Sequence, residues 1–435
     1  MRPATSIPIE QRAGEVSLPA QHNARSRYSI DAIARRAVRA RLMQVRGGRI
    51  VLIEGAERYT CGALSAAFPD EVLIQVHDAR FYGDLALGGS IGAGEAYMNG
   101  YWSTSQLVDL VRLLVLNMDV LDGLDGGTAS FTAPLQKLLH AFRRNTRSGA
   151  RKNIAAHYDL GNDFFKLFLD ETLMYSAATF TAPEMSLHEA QLARLDLIAR
   201  KLRLGPGDRV VEIGTGWGGF ALHAAQRYGC SVTTTTISQE QCRLARERVA
   251  AAGLSDRVEV LCEDYRDLTG RYDKLVSIEM IEAVGHQYYD TFFAKCSALL
   301  RPDGLMLLQA ITIADRRYER AKKSVDFIQR YIFPGSCIPS VTAMSDAITK
   351  STDLRLFDLE DIGPHYALTL RRWRENLFAN LDRAKALGYD DAFIRMWEYY
   401  FCYCEGGFAE RALGDVHMLL AKPRNRRATL DSVPT

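Results

Sequence analysis

The chain is predicted to be an α/β protein built on an open, mostly parallel sheet, with a smaller α+β domain ahead of it. Three observations predict this. From about residue 186, strand-like and helix-like segments alternate at the spacing of βαβ units. A glycine-rich turn, EIGTGWGGFA (212–221), joins the first of those strands to a helix. Two glutamates, Glu279 and Glu282, stand in the apolar stretch SIEMIEAVGH (277–286), where another strand ends. In open α/β sheets ligands bind beyond the carboxyl ends of the strands, so the turn and the glutamates fall in one place. A carboxylate in apolar surroundings costs several kcal/mol unless it is paired or protonated. These two therefore need a partner or a task.

Size and composition fit two or three ordinary globular domains: 435 residues, 47% hydrophobic, 24% charged, formal net charge +2. The longest apolar stretch, LVDLVRLLVLNMDVL, is broken by Asp109, Arg112, Asn117 and Asp119 and falls short of the roughly 20 apolar residues of a spanning helix. No secretory leader pattern opens the chain, so a cytoplasmic protein is expected. The eight cysteines form no CxxC and meet no His pair at ligand spacing. The expectation is no metal site and no disulfide framework, only free and mostly buried thiols.

Taken in order, residues 1–25 lack periodicity and are expected to be disordered. Residues 26–120 read as an N-terminal lipid- or membrane-associated domain. Its first helix repeats Ile30, Ile33, Ala34, Ala37, Leu42 and Val45 at helical spacing, with Arg35, Arg36 and Arg39 opposite. That helix could lie on an anionic membrane or simply present a solvated face. Strands GRIVLI and EVLIQVH, a turn at LGGSIGAGEAYMNG and a helix at about 104–118 complete the domain. Residues 121–152 read as a linker. Its basic run RRNTRSGARKN (143–153) is either solvated or a contact for phosphate headgroups. The main domain, 153–422, has strands at DRVVEIG, CSVTTTTIS, RVEVLCED, KLVSIEMI and LMLLQAITI, with helices at about 186–203, 218–228 and 239–252 and at DTFFAKCSALL, and a turn at RPDG (301–304). Residues 423–435 form a flexible tail.

Gly214, Gly216 and Gly218 let the backbone turn tightly and approach a ligand. A dinucleotide site would want an acid about 20 residues on, for the ribose hydroxyls. Here the second strand ends TTTTISQEQ, with no acid at its tip. The pattern that fits instead resembles that of the class I S-adenosylmethionine methyltransferases. Glu212 closes the first strand, and Asp264 follows the third, within reach of an adenine amine.

Five further stretches carry a closer resemblance: AHYDLGNDFFKLFLDETLMYS (156–176), SIEMIEAVGHQYYDTFF (277–293), FIQRYIFPGSCIPS (327–340), IGPHYALTLRRW (362–373) and MWEYYFCYCEGGF (396–408). They resemble the cyclopropane-fatty-acid synthase family, over about 150–420, with a further match at GGSIGAGEAYMNGYW (88–102). The resemblance implies a Rossmann-like methyltransferase domain with a helical insertion over the site. It also implies transfer of a sulfonium methyl to the double bond of an unsaturated acyl chain in membrane phospholipid. S-adenosylmethionine would be held by Tyr175, Ser176, Gly214, Gly216, Gly218, Thr236, Gln241, Asp264, Tyr265 and Ile278. Thr236 and Gln241 take the ribose side, which accounts for the missing acid. His157 would be a structural contact.

An alkene is a weak nucleophile, and methylating it leaves a carbocation. Aromatic faces stabilise a desolvated cation by up to about 2 kcal/mol or more, and Tyr175, Phe180, Tyr265, Tyr331, Phe333, Tyr366, Tyr399 and Tyr400 are the candidates. Proton loss then closes a cyclopropane or, after a hydride shift, leaves a methylene branch. The family uses bicarbonate as that base, held by a cysteine, a glutamate, a histidine, a backbone group and a tyrosine. The matching positions are Ala177, Glu282, Gln309, Ile311 and Tyr366. Ala177 and Gln309 depart from the pattern and remove two of the ion's ligands. A protein carboxylate could then be the base, Glu282 first, with Glu171 and Glu279 behind it. With these substitutions the chain resembles the branch of the family giving methylene- or methyl-branched chains.

The resemblance further implies a homodimer held peripherally at an anionic membrane on the inner face of the cell membrane, and a reductase partner for a methylene product. Three other readings stay open: a methyltransferase of a soluble small molecule or isoprenoid, a non-catalytic lipid- or cofactor-binding module, and a nucleic-acid methyltransferase. Near-zero net charge without a basic, aromatic-laced stripe counts against nucleic acid.

Overall fold

A computed structural model describes residues 24–118 and 161–426. The expectations for 1–23, for the linker with its basic run at 143–153, for His157 and for the last nine residues lie outside the described residues.

The N-terminal part is a four-stranded sheet, β2-β1-β3-β4, from β1 (Arg49–Glu54), β2 (Glu57–Gly62), β3 (Glu71–Val76) and β4 (Trp102–Ser103). β1 pairs antiparallel with β2 and parallel with β3. Against it pack α1 (Ala24–Leu42), α2 (Arg80–Met98) and α3 (Leu107–Leu116). α1 is a domain helix. Ala34, Val38 and Leu42 enter the core, while Arg35 and Arg39 turn inward to Glu54, and Arg39 also lies 4.7 Å over the Tyr59 ring. Ile33, read as part of the apolar face, is instead 71% exposed.

Of the stretch LGGSIGAGEAYMNG (87–100), read as a turn, residues 87–98 belong to α2 and Asn99 caps it. The helix breaks at Gly89 (φ 56°) and resumes. Gly92 and Gly94 serve close packing rather than chain reversal: a Cβ on Gly94 would lie 2.5 Å from the Phe327 ring.

The second sheet has seven strands in the order β7-β6-β5-β8-β9-β11-β10. β5 (Arg209–Ile213), β6 (Ser231–Thr235), β7 (Val258–Leu261), β8 (Tyr272–Ile278) and β9 (Leu300–Ile313) run parallel. β11 (Leu413–Ala421) runs against β9, and β10 (Arg355–Asp361) against β11. The RPDG segment is an irregularity within β9 rather than a turn ahead of it.

α4 (Leu187–Leu202) opens on a capping box, Ser186 with Glu189. α5 (Gly219–Tyr228), α6 (Gln239–Ala251) and α7 (Tyr289–Leu299) are the crossover helices. Further helices include α8 (Asp315–Ala321), α9 (Val341–Ser351), α10 (Gly363–Ala379), α11 (Leu381–Ala386) and α12 (Asp391–Ala409). α12 packs against α10 on one side and against α2 and α3 on the other, joining the two halves. Tyr97 Oη donates to Glu398 at 2.7 Å, Arg112 Nε to Glu410 at 2.7 Å, and Arg330 pairs with Glu95 at 2.8 Å across this junction.

Two cysteines depart from the free-thiol expectation. Cys242 and Cys262, with Cα atoms 5.8 Å apart, form a disulfide between α6 and the end of β7. The other six are free and buried. No helix among the described residues is long and apolar enough to cross a membrane.

Candidate active site

One cavity of about 820 Å³ lies beyond the carboxyl ends of β5, β6, β7 and β8 and continues into the N-terminal half. Its first wall is the turn after β5. Gly214 (φ 100°) opens it, and the Gly214 and Thr215 amides donate to the Thr235 carbonyl, so the turn is fixed against β6. Gly214 and Gly216 line the cavity; Gly218 instead precedes α5 as its cap (φ 86°). Glu212 is buried behind the turn and accepts from Thr234 Oγ1 at 2.6 Å, and burial pushes its carboxyl up to about 8.

Thr236 Oγ1 donates to Gln241 Oε1 at 2.8 Å, which orients the amide at the start of α6. Asp264 lines the cavity with its carboxylate gripped by Arg266, whose Nε and Nη2 donate at 2.8 and 2.6 Å. Tyr265 and Ile278 form the adjoining wall, and Tyr175, whose hydroxyl donates to Tyr400 Oη at 3.1 Å, covers the other side with Ser176. Ser176 Oγ is buried without a hydrogen-bond partner among the described residues.

Replacing Gly214 by Ala should weaken S-adenosylmethionine binding. A φ of +100° strains an L-residue by about 1–3 kcal/mol, and the new Cβ would press Met280 at 3.1 Å. Titration calorimetry with S-adenosylhomocysteine should read a Kd raised about tenfold, with unchanged circular dichroism.

At the end of β8 the backbone turns through Glu279 (φ 46°), and this aims its carboxylate into a nest of donors. Oε1 accepts from the Ala177 amide at 2.8 Å and from Gln309 Nε2 at 2.7 Å, and Oε2 from Tyr366 Oη at 2.7 Å. Glu282, one turn on, accepts from the Ile311 amide at 2.6 Å, and its second oxygen has no partner among the described residues. Burial and the charge of Glu279 push Glu282 up to about 8.

Behind Glu279 lies a buried polar layer. Gln309 Nε2 also donates to Asp415 at 2.9 Å, and Gln309 Oε1 accepts from Arg194 at 3.3 Å. Arg194, itself fully buried, donates to Gln191 at 2.7 Å. Burial and the neighbouring Glu279 hold the Asp415 carboxyl well above the ordinary carboxylate range. Burial also raises Glu279, opposed by the Ala177 amide, Tyr366 and Arg194. Three carboxyls against one guanidinium cannot all ionise in such a place. The donors converge on Glu279 and favour its charged form, while burial favours the protonated forms of Asp415 and Glu282.

The predicted residues thus divide. Glu279, Glu282, Tyr366 and the nucleoside-side residues other than Gly218 face the cavity, and Gln309 supports Glu279 from behind. Glu171 does not take part: its position is exposed, outside the cavity, and its carbonyl is held by Arg248 at 2.9 Å. Among the aromatics, Tyr175, Tyr265, Phe333, Tyr366, Tyr399 and Tyr400 line the cavity, whereas Phe180 and Tyr331 do not.

Residues 145–418 match the mycolic acid cyclopropane synthetase family. The chain belongs to that family. It is 43% identical over 328 residues to the tuberculostearic acid methyltransferase UfaA1 of Mycobacterium tuberculosis, covering 74% of this chain and 76% of the relative. It is 37% identical to the cyclopropane-fatty-acyl-phospholipid synthase of Escherichia coli K12, covering 78% and 85%. The crystal structure of the mycolic acid cyclopropane synthase CmaA1 complexed with SAH and CTAB superposes with a TM-score of 0.58 at 33% identity, over 62% of this chain and 98% of the other. This synthetase-family chain is therefore an S-adenosylmethionine-dependent methyltransferase of the class I α/β fold, with S-adenosylmethionine as its cofactor. Ser176, whose hydroxyl has no hydrogen-bond partner among the described residues, the glycine turn and the Thr236–Gln241 pair all line the cavity.

Proposed function

We propose that this enzyme methylates the double bond of an unsaturated acyl chain in membrane phospholipid, with Glu279 as the base. The observation that carries the reading is the seat of Glu279: a carboxylate held by three donors at the wall of a largely apolar cavity shared with the cofactor turn. The Ala177 amide, Gln309 and Tyr366 are positions that would hold a free anion in the resembling family, and here they hold a side chain. A tethered carboxylate takes the place of bicarbonate.

S-adenosylmethionine supplies an electrophilic methyl carbon. Tyr175, Tyr366 and Tyr400 line the cavity, and their ring faces would stabilise the positive charge that then develops on the chain. Glu279 accepts a proton from the added methyl. The electron pair of that C–H bond closes a ring or, after a hydride shift along the chain, forms a methylene group. Tyr366 and Gln309 hold the carboxylate in line for the transfer.

The membrane lipid is favoured by two features. The cavity is deep and apolar, unlike a site for a soluble polar substrate. The stretch 315–323, five cations against Asp315 and Glu319, places exposed Arg320 and Lys323 on the same cavity, a fit for an anionic headgroup.

The test is expression in a bacterium containing oleate and vaccenate, fed methionine with a deuterated methyl, followed by mass spectrometry of the acyl chains with chromatographic separation of ring from methylene. The expected product retains all but one of the label's deuteriums. Retention of every deuterium would place the proton loss on the chain and remove Glu279 from that role. Absence of label from every lipid would overturn the acyl-chain reading.

A further inference from the structure

We propose that the N-terminal domain provides the closed end of the acyl-chain tunnel, a chamber that receives the methyl end of the chain and limits how much of it can extend beyond the double bond. This rests on the acyl-chain reading above. The cavity that begins at the cofactor turn continues without interruption to Ile74, Phe81, Leu85, Trp102, Leu107 and Leu110, all buried and all from the N-terminal half. A chamber walled by such side chains excludes a charged or hydrated group, since burying one without partners costs several kcal/mol. The charged end of an amphiphile therefore stays toward Arg320 and Lys323, and the hydrocarbon end goes in.

The wall facing the chamber is built small. The segment of α2 around the break at Gly89 contributes Gly88, Ser90 and Ala93, and a Cβ on Gly88 would meet nothing within 4 Å. Trp102 is pinned there by its indole N–H, which donates to the Ala93 carbonyl at 2.9 Å. The junction of α12 with α2 and α3 holds the chamber against the half of the molecule that carries Glu279.

The experiment uses the full chain and two readouts. The first is turnover on phosphatidylglycerol vesicles carrying palmitoleoyl or oleoyl chains, which share the double-bond position from the carboxyl end and differ by two methylenes beyond it. Gly88→Leu fills the chamber where there is room for the side chain, and should cut kcat/KM for oleoyl relative to palmitoleoyl by roughly tenfold or more, as expected for lost methylene-sized space. S-adenosylhomocysteine affinity should not move. An unchanged ratio would overturn the proposal. The second readout is independent of catalysis: because Trp217 lines the same cavity, a stearic acid brominated near its methyl end should quench tryptophan fluorescence more strongly in the wild type than in Trp102→Phe. Equal quenching in both would also overturn it. Quenching through Trp102 in a protein that methylates no lipid would sink the acyl-methylation reading and leave the chamber standing.

Discussion

Glu279→Gln should lose methyl transfer by roughly 100- to 10,000-fold in kcat, the range a positioned base contributes, while the Kd for S-adenosylhomocysteine stays put. The amide keeps the size and some of the hydrogen bonding of the carboxylate, but it cannot take a proton. Glu282→Gln is the informative companion. Glu282 holds its proton near neutral pH with a carboxyl pushed up to about 8, and it makes one bond to the Ile311 amide, so its loss should cost much less. Equal losses from the two variants would remove the distinction drawn here. The pH profile carries the same signature. A base works only when deprotonated, so kcat should fall as pH falls through the Glu279 pKa. Because burial raises that pKa, the limb should lie above the ordinary carboxylate range. It should be absent from the residual activity of Glu279→Gln.

Glu279→Gly should do something different: it should answer to added small anions. Glycine adopts φ +46° without strain, and removing the side chain leaves the Ala177 amide, Gln309 Nε2 and Tyr366 Oη pointing at an empty anion-sized space. Hydrogen bonds to a charged acceptor contribute about 1.5–3 kcal/mol each, and about 1.4 kcal/mol of barrier is tenfold in rate. Saturating bicarbonate or formate should therefore raise turnover roughly tenfold above the unaided variant. The wild type should not respond. Glu279→Ala should respond less, because its Cβ must sit in the left-handed region. A Glu279→Gly enzyme indifferent to both anions would show that the donors do not form a base site.

Much of this was legible in the sequence, and the misses have physical causes. The parallel strands announced themselves by β-branched runs and the cofactor turn by its glycines, because both patterns are local. β11 escaped because LGDVHMLLA is buried through most of its length and so shows no alternation, and with it went Asp415 and His417. A buried Asp and His inside an apolar run were the available signal. The sequence put Glu282 ahead of Glu279, three positions before it, and we propose the reverse order, which turns on one backbone angle that no side-chain pattern reports. Glu171 looked eligible by proximity in sequence to Tyr175, but the chain turns between them and leaves it in solvent. The stretch 87–100 was misread because glycine serves turns and close helix packing alike.

The left-handed bend at Glu279 has a consequence for where such an enzyme can work. A dissolved base must be captured from the medium, and its occupancy follows its concentration. A base on the chain arrives already paid for in entropy, with effective molarities that reach about 10⁵ M or more in well-oriented systems. With Glu279 as the base, as we propose, methylation would not depend on the supply of dissolved carbon dioxide.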